Sequence, residues 1–178
     1  MSRRRQWVTR ANALSFVRVI AAPMLAIAIG RDAAFAATLL FFVAVASDLG
    51  DGWLARRLGE TSPLGGFIDH AADALFVTAG TAALACTGAL PVPLPFLIVA
   101  AFLQYALDSR SVAKRGLRPS GLGRGNGIAY YVIVAVPIVR DALGLAWPPA
   151  GVVTVLGWLI VASTVASMVD RLRLLLAR

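Results

Sequence analysis

Asp48-Leu-Gly-Asp51-Gly52-Trp-Leu-Ala55-Arg56, eight further residues, then Gly65-Gly-Phe-Ile-Asp69-His-Ala-Ala-Asp73: the two quoted stretches hold four of the chain's nine acidic side chains. The four form two pairs, spaced i,i+3 and i,i+4, which puts both members of each pair on one face of a helix. Asp48 ends a run of fifteen uncharged residues (33–47), and Asp73 opens one of thirty-four (74–107). A single Asp at a helix end commonly serves as a cap or is simply solvated. Two pairs bordering membrane-length apolar runs, with glycines and an arginine between them, point instead to function, because intramembrane carboxylates are costly to keep.

The surrounding composition sets the class. Of the 178 residues, 59% are apolar and the mean hydropathy is +0.78, which does not describe a water-soluble domain. The single cysteine, Cys86, excludes an internal disulfide or a cysteine metal site and is expected to be a small core residue. A net charge of +8 and a pI near 11.2 do not indicate nucleic acid, since the basic residues cluster between apolar runs and no soluble module carries a binding face. The expected fold is an all-α integral membrane protein of six transmembrane helices with a short N-terminal interfacial segment.

Residues 1–11, basic and carrying Trp7, are expected to lie at the cytoplasmic surface and lack a signal-peptide pattern. Residues 12–178 form the membrane domain, with spans at about 12–30, 33–55, 64–88, 95–107, 128–139 and 151–169. The fourth and fifth are short for a bilayer and are expected to extend into their flanks. Pro91, Pro93 and Pro95 mark one outer turn, and Trp147-Pro148-Pro149 another. The segment 108–127 is the longest polar connection. Spans two and three are expected to form an antiparallel pair that closes both carboxylate pairs into one site. Six spans leave fifteen of the seventeen basic residues on one side and only Arg31 and Arg140 on the other. The positive-inside rule then makes both termini and the carboxylates cytoplasmic, in a cell inner (plasma) membrane.

Clustered carboxylates raise one another's pKa unless a cation compensates. All-oxygen ligation by Asp48, Asp51, Asp69 and Asp73 suits Mg²⁺ or Mn²⁺. His70 lies about 100° around the helix from Asp69 and is expected to pack or face headgroups rather than ligate. Gly52 and Gly65 would allow close approach of a nucleotide, and Arg56 can grip phosphate oxygens. Gly65 and Gly66 also suit close helix packing.

The pattern D-x-x-D-G-x-x-A-R-x8-G-x-x-x-D-x-x-x-D, filled by Asp48, Asp51, Gly52, Ala55, Arg56, Gly65, Asp69 and Asp73, resembles the signature of the CDP-alcohol phosphatidyltransferases. The opening Asn12-Ala-Leu-Ser15-Phe-Val-Arg18, with Pro23 following, resembles the start of bacterial phosphatidylglycerophosphate synthases. The resemblance implies transfer of a phosphatidyl group from CDP-diacylglycerol to an acceptor hydroxyl, with release of CMP. It assigns Asp48, Asp51 and Asp69 to metal. Asp73 becomes the general base, also touching a second metal where two are bound. A homodimer is implied by the resemblance alone. Arg18 and Asn12 are expected to face the nucleotide or phosphate site, with snorkelling to the interface as the alternative for Arg18. Arg110, Lys114 and Arg118 flank the opening and, together with Arg18, could bind a phosphate on the acceptor, beside the loop cations' role in topology and headgroup binding.

Family members of this type usually read D-P-x-A-D-K across the second pair, where this chain reads Asp69-His70-Ala71-Ala72-Asp73-Ala74. The missing proline and lysine leave the chemistry intact and the acceptor open. Glycerol 3-phosphate leads, ahead of serine, inositol phosphate or a lipid alcohol. An intramembrane prenyltransferase or a cation transporter would be the rival classes. The first would need a longer chain and usually a second Asp motif in the other half, where Asp108, Asp141 and Asp170 are isolated; the second commonly shows internal repeats, and none is evident.

Overall fold

The computed structural model describes residues 10–58, 63–111 and 121–176; within these, the side chains of 10–14, 51–56, 58, 63–64, 108–111, 121 and 174–176 lie outside the description. Six helices and no strands occur among the described residues: α1 Arg10–Gly30, α2 Ala34–Leu58, α3 Pro63–Cys86, α4 Pro93–Ser111, α5 Gly121–Ala142 and α6 Ala150–Leu176. Pro63 and Pro93 open α3 and α4, the position where a missing N–H costs nothing.

The helices alternate in direction, and three of them stop at one end of the bundle in the same way. Asp32, Gly88 and Gly144 each adopt a positive φ (54°, 79° and 63°). The next amide then reaches back five residues, Ala33 to Ala28, Ala89 to Leu84 and Leu145 to Arg140, each at 2.9 Å. These are Schellman closures, which satisfy the last carbonyls of a helix through one left-handed residue. The opposite end holds the start of α1, the end of α6 and, as shown below, the carboxylates.

Two helical stretches, Leu122–Ala142 and Ala150–Arg173, are long and apolar enough to cross a membrane, and Ser15–Gly30, Ala34–Gly50 and Pro93–Leu107 are shorter apolar stretches. The exterior is apolar as well: Phe35, Phe96, Ile128 and Ile20 are each more than 60% exposed. A water-soluble bundle would not present such a continuous apolar surface.

The core is built on α1. It packs most extensively of all the helices, against both α2 and α3, while α2 and α3 touch far less, the rings of Phe41 and Phe76 being one place where they meet. The expected direct pairing of spans two and three is therefore corrected: α1 lies between them, its small residues Ala21, Ala22 and Ala28 buried at the contact. Small side chains let apolar helices approach closely. Gly80 marks the tightest approach on α3, where an added Cβ would meet Val134 Cγ1 at 2.9 Å and Leu25 Cδ2 at 3.2 Å. At Gly66 a Cβ would meet nothing within 4 Å, so close packing does not require that glycine.

Helix α5 begins seven residues before the expected start of the fifth span, taking in Gly121 to Gly127. The fifth span thus extends into its flank, the glycine-rich run being helical, and Asn126 is tied to α6 by a 2.7 Å bond from Ser163 Oγ. Cys86 is exposed at the end of α3, not a core residue, because the helix terminates there.

Candidate active site

Arg18 is the centre of the polar end. It sits two turns inside α1, about 12 Å from the helix start at the usual rise, and is fully buried. Its guanidinium does not snorkel. It donates from Nη1 to Asp48 Oδ1 at 2.6 Å, from Nη1 to Asp73 Oδ1, and from Nη2 to Asp69 Oδ1. A charge held without water needs anionic partners, and here carboxylates from two other helices supply them.

Helix periodicity delivers those carboxylates. Asp48 lies ten residues from the end of α2, Asp69 and Asp73 six and ten residues into α3, so all three sit at comparable depth. One carboxylate oxygen from each falls within 4.8 Å of the others. The side chains of Asp48 and Asp69 are 38% exposed and that of Asp73 24%, against zero for Arg18. The guanidinium is thus the floor of a cleft whose walls are carboxylates open to the bundle end. Ser15, one turn before Arg18, adds a hydroxyl 3.4 Å from Asp69 Oδ1.

The donor set is all oxygen and convergent, of the kind hard divalent cations take, and Arg18 offsets only part of its negative charge. Asp51 continues the face of Asp48 one turn along α2. Its side chain lies outside those described, as do the side chains of Asn12, Arg56 and Arg110 and the surroundings of Gly52; Lys114 and Arg118 lie outside the described residues. Gly65 is half-buried in the first turn of α3.

His70 takes no part in the cluster. Its ring packs edge-on to Tyr105 at 4.6 Å and against Phe102 at 5.6 Å, on the side of α3 facing α4. The rotation from Asp69 is what separates the two faces.

Sequence reading missed one member of the site. Tyr131 of α5 donates its hydroxyl to Asp73 Oδ1 at 2.6 Å. Its ring stacks on Phe76 (6.0 Å, 25°) and meets Phe41 edge-on (6.0 Å, 64°). The available signal was weak: a tyrosine in an apolar run, whose hydroxyl is favoured to face the bundle interior.

The CDP-alcohol phosphatidyltransferase family model matches residues 8–169, nearly the whole described bundle. Among curated proteins, the CDP-diacylglycerol–glycerol-3-phosphate 3-phosphatidyltransferase of Blochmanniella floridana is 50% identical over 40 residues, 22% of this chain and 21% of that protein. The cardiolipin synthase (CMP-forming) of Oryza sativa is 38% identical over 90 residues, 49% of this chain and 27% of that one. A probable phosphatidylglycerophosphate synthase of Mycobacterium tuberculosis is 29% identical over 144 residues, 78% of this chain and 68% of that one. The chain thus spans between about a fifth and two thirds of the length of these relatives. No solved structure matches significantly.

Proposed function

The chain belongs to the CDP-alcohol phosphatidyltransferase family, and on that premise we propose that it moves a phosphatidyl group from CDP-diacylglycerol to the hydroxyl of a small polar acceptor, glycerol 3-phosphate first, releasing CMP in phospholipid synthesis. The observation that carries this reading is the convergence of Asp48, Asp69 and Asp73 around buried Arg18. An isolated carboxylate cluster of this kind has no structural use that an apolar core would not serve better.

Asp48, Asp51 and Asp69 would hold Mg²⁺ or Mn²⁺, which when bound supplies neutralisation of the diphosphate charge. Gly52, Gly65 and Arg56 would seat the diphosphate, with Asn12 at its edge. Arg18 keeps the carboxylates gathered and oriented. Asp73 takes the proton of the acceptor hydroxyl as that oxygen bonds to the lipid-bearing phosphorus, and the bond from that phosphorus to CMP breaks. Positioning and electrostatics carry most of the catalysis, as in other phosphoryl transfers. With Arg18 committed to carboxylates, Arg110, Lys114 and Arg118 are the better candidates to meet a phosphate on the acceptor.

The bundle would lie across the cell's inner membrane as six spans, residues 1–11 at its surface, both termini and the site facing the cytoplasm. The apolar exterior and the fifteen-to-two charge asymmetry support that placement. Membrane lipids would surround it, and a homodimer follows from the family resemblance.

A second reading keeps the chemistry and changes the acceptor. The rice relative is named as a cardiolipin synthase, whose acceptor would be a lipid alcohol. The deciding experiment is CMP release from CDP-diacylglycerol by purified protein with Mg²⁺ or Mn²⁺ across an acceptor panel. Release with glycerol 3-phosphate alone is expected. Release only with phosphatidylglycerol would establish the second reading, and none with any acceptor would overturn both.

A further inference from the structure

We propose that Tyr131 is a positioning residue for the transfer step, fixing the Asp73 carboxylate by one oxygen so that the other is presented to the acceptor. The proposal rests on the reading of Asp73 as the base. Two donors meet on Asp73 Oδ1, the Tyr131 hydroxyl at 2.6 Å and Arg18 Nη1. Oδ2 has no hydrogen-bond partner among the described residues, and the side chain stays 24% exposed. A carboxylate held this way cannot exchange its two oxygens by rotation, so the proton-accepting atom stays the same one from turnover to turnover.

The phenol is itself immobilised. Tyr131 is wedged between Phe76, stacked on its face, and Phe41, edge-on, and both phenylalanines are buried. Its ring therefore aims the hydroxyl with little freedom. The preceding residue makes the contrast. Tyr130, about 100° around α5, sends its hydroxyl to Thr164 Oγ1 of α6 at 2.8 Å, a helix-to-helix tie with no contact to the carboxylates. Two adjacent tyrosines thus carry two separable roles, one toward the site and one toward the bundle.

The contrast supplies the experiment. Tyr131→Phe keeps both ring contacts and removes only the hydroxyl; Tyr130→Phe removes the tie to α6. CMP release is measured for wild type and both variants, with melting temperature in the same detergent. Partners of reacting or ligating groups typically contribute ten- to a hundred-fold. Tyr131→Phe is expected to lower kcat by about that factor, with KM for CDP-diacylglycerol within about twofold and the melting temperature nearly unchanged. Tyr130→Phe is expected to lower the melting temperature and leave kcat within about twofold. Equal kcat in Tyr131→Phe and wild type would overturn the proposal, as would a loss shared equally by both variants or one confined to KM. No CMP from wild type would overturn the functional reading, and the proposal with it; a wild-type signal with an indifferent Tyr131→Phe overturns the positioning role alone.

Discussion

The two ends of the bundle carry charge in opposite ways. At one, Arg18 of α1 is fully buried and shared among carboxylates 30 to 55 residues away in sequence. At the other, Arg140 pairs with its neighbour Asp141 at 2.7 Å, also reaches the Pro148 carbonyl, and Asp141 is 52% exposed. The second end also holds a cavity of about 310 Å³, lined by Asp32, Thr87, Arg140 and Asp141 among others. What marks the site is charge from three helices gathered around one fully buried guanidinium, an arrangement a fold keeps only for a use. The Arg140–Asp141 pair is a partly solvated contact between neighbours in the last turn of α5.

If that contrast is right, substitutions at the two ends must differ by orders of magnitude. Asp73→Asn should cost most: removing a general base typically loses about 10²- to 10⁴-fold in rate. CMP release should fall by that factor while CDP-lipid binding, followed by direct titration, stays largely intact. Turnover within a few-fold of wild type would take Asp73 out of the base role. Arg18→Gln comes next. It strands the carboxylates beside one another, and a melting curve should show a loss of about 3 kcal/mol, the low end for a broken buried pair because the partners are partly solvated. Added Mg²⁺ should restore part of that loss, and an unchanged curve would show that the guanidinium does not hold the cluster.

Gly80→Ala probes the apolar middle. The new methyl must displace Val134 or Leu25, which should cost about 1–3 kcal/mol in stability and little in turnover per folded molecule. At the far end, Arg140→Gln should change stability by no more than about 1 kcal/mol, as exposed pairs do, and leave CMP release untouched. A large effect there would erase the distinction between the ends.

The sequence made the acidic face legible because helix periodicity is local: spacings of three and four residues fix which side chains share a face, whatever the tertiary packing. The same holds for His70, whose offset from Asp69 keeps it among aromatic rings. Packing order is not local. Nothing in the spacing of Asp48 and Asp73 says that α1, not direct contact, joins their helices, and that is why Arg18 reads as a possible snorkeller until its neighbours are known. Tyr131 escaped for a related reason, since one hydroxyl in an apolar run has no periodic partner to announce it. The start of α5 is legible only as an extension of a short span, without its bounds. Glycine-rich runs suggest turns, yet glycine is frequent in membrane helices, and here the bond from Ser163 to Asn126 holds the run in register with α6.

The aromatic layer beneath the carboxylates has a consequence for the compartment the protein borders. Phe41, Phe76 and the ring of Tyr131 lie on the inner side of the cluster, with Leu25 and Ala22 of α1 buried beyond them. A charged, hydrated cleft sunk into a bilayer is half of an ion leak, and only what lies below it decides whether the other half exists. With packed rings below it, the cleft, in the membrane placement proposed above, would admit protons and metal ions by one mouth and offer them no passage across. An enzyme of the proposed kind, so placed, would be compatible with a gradient across its membrane however many copies were present.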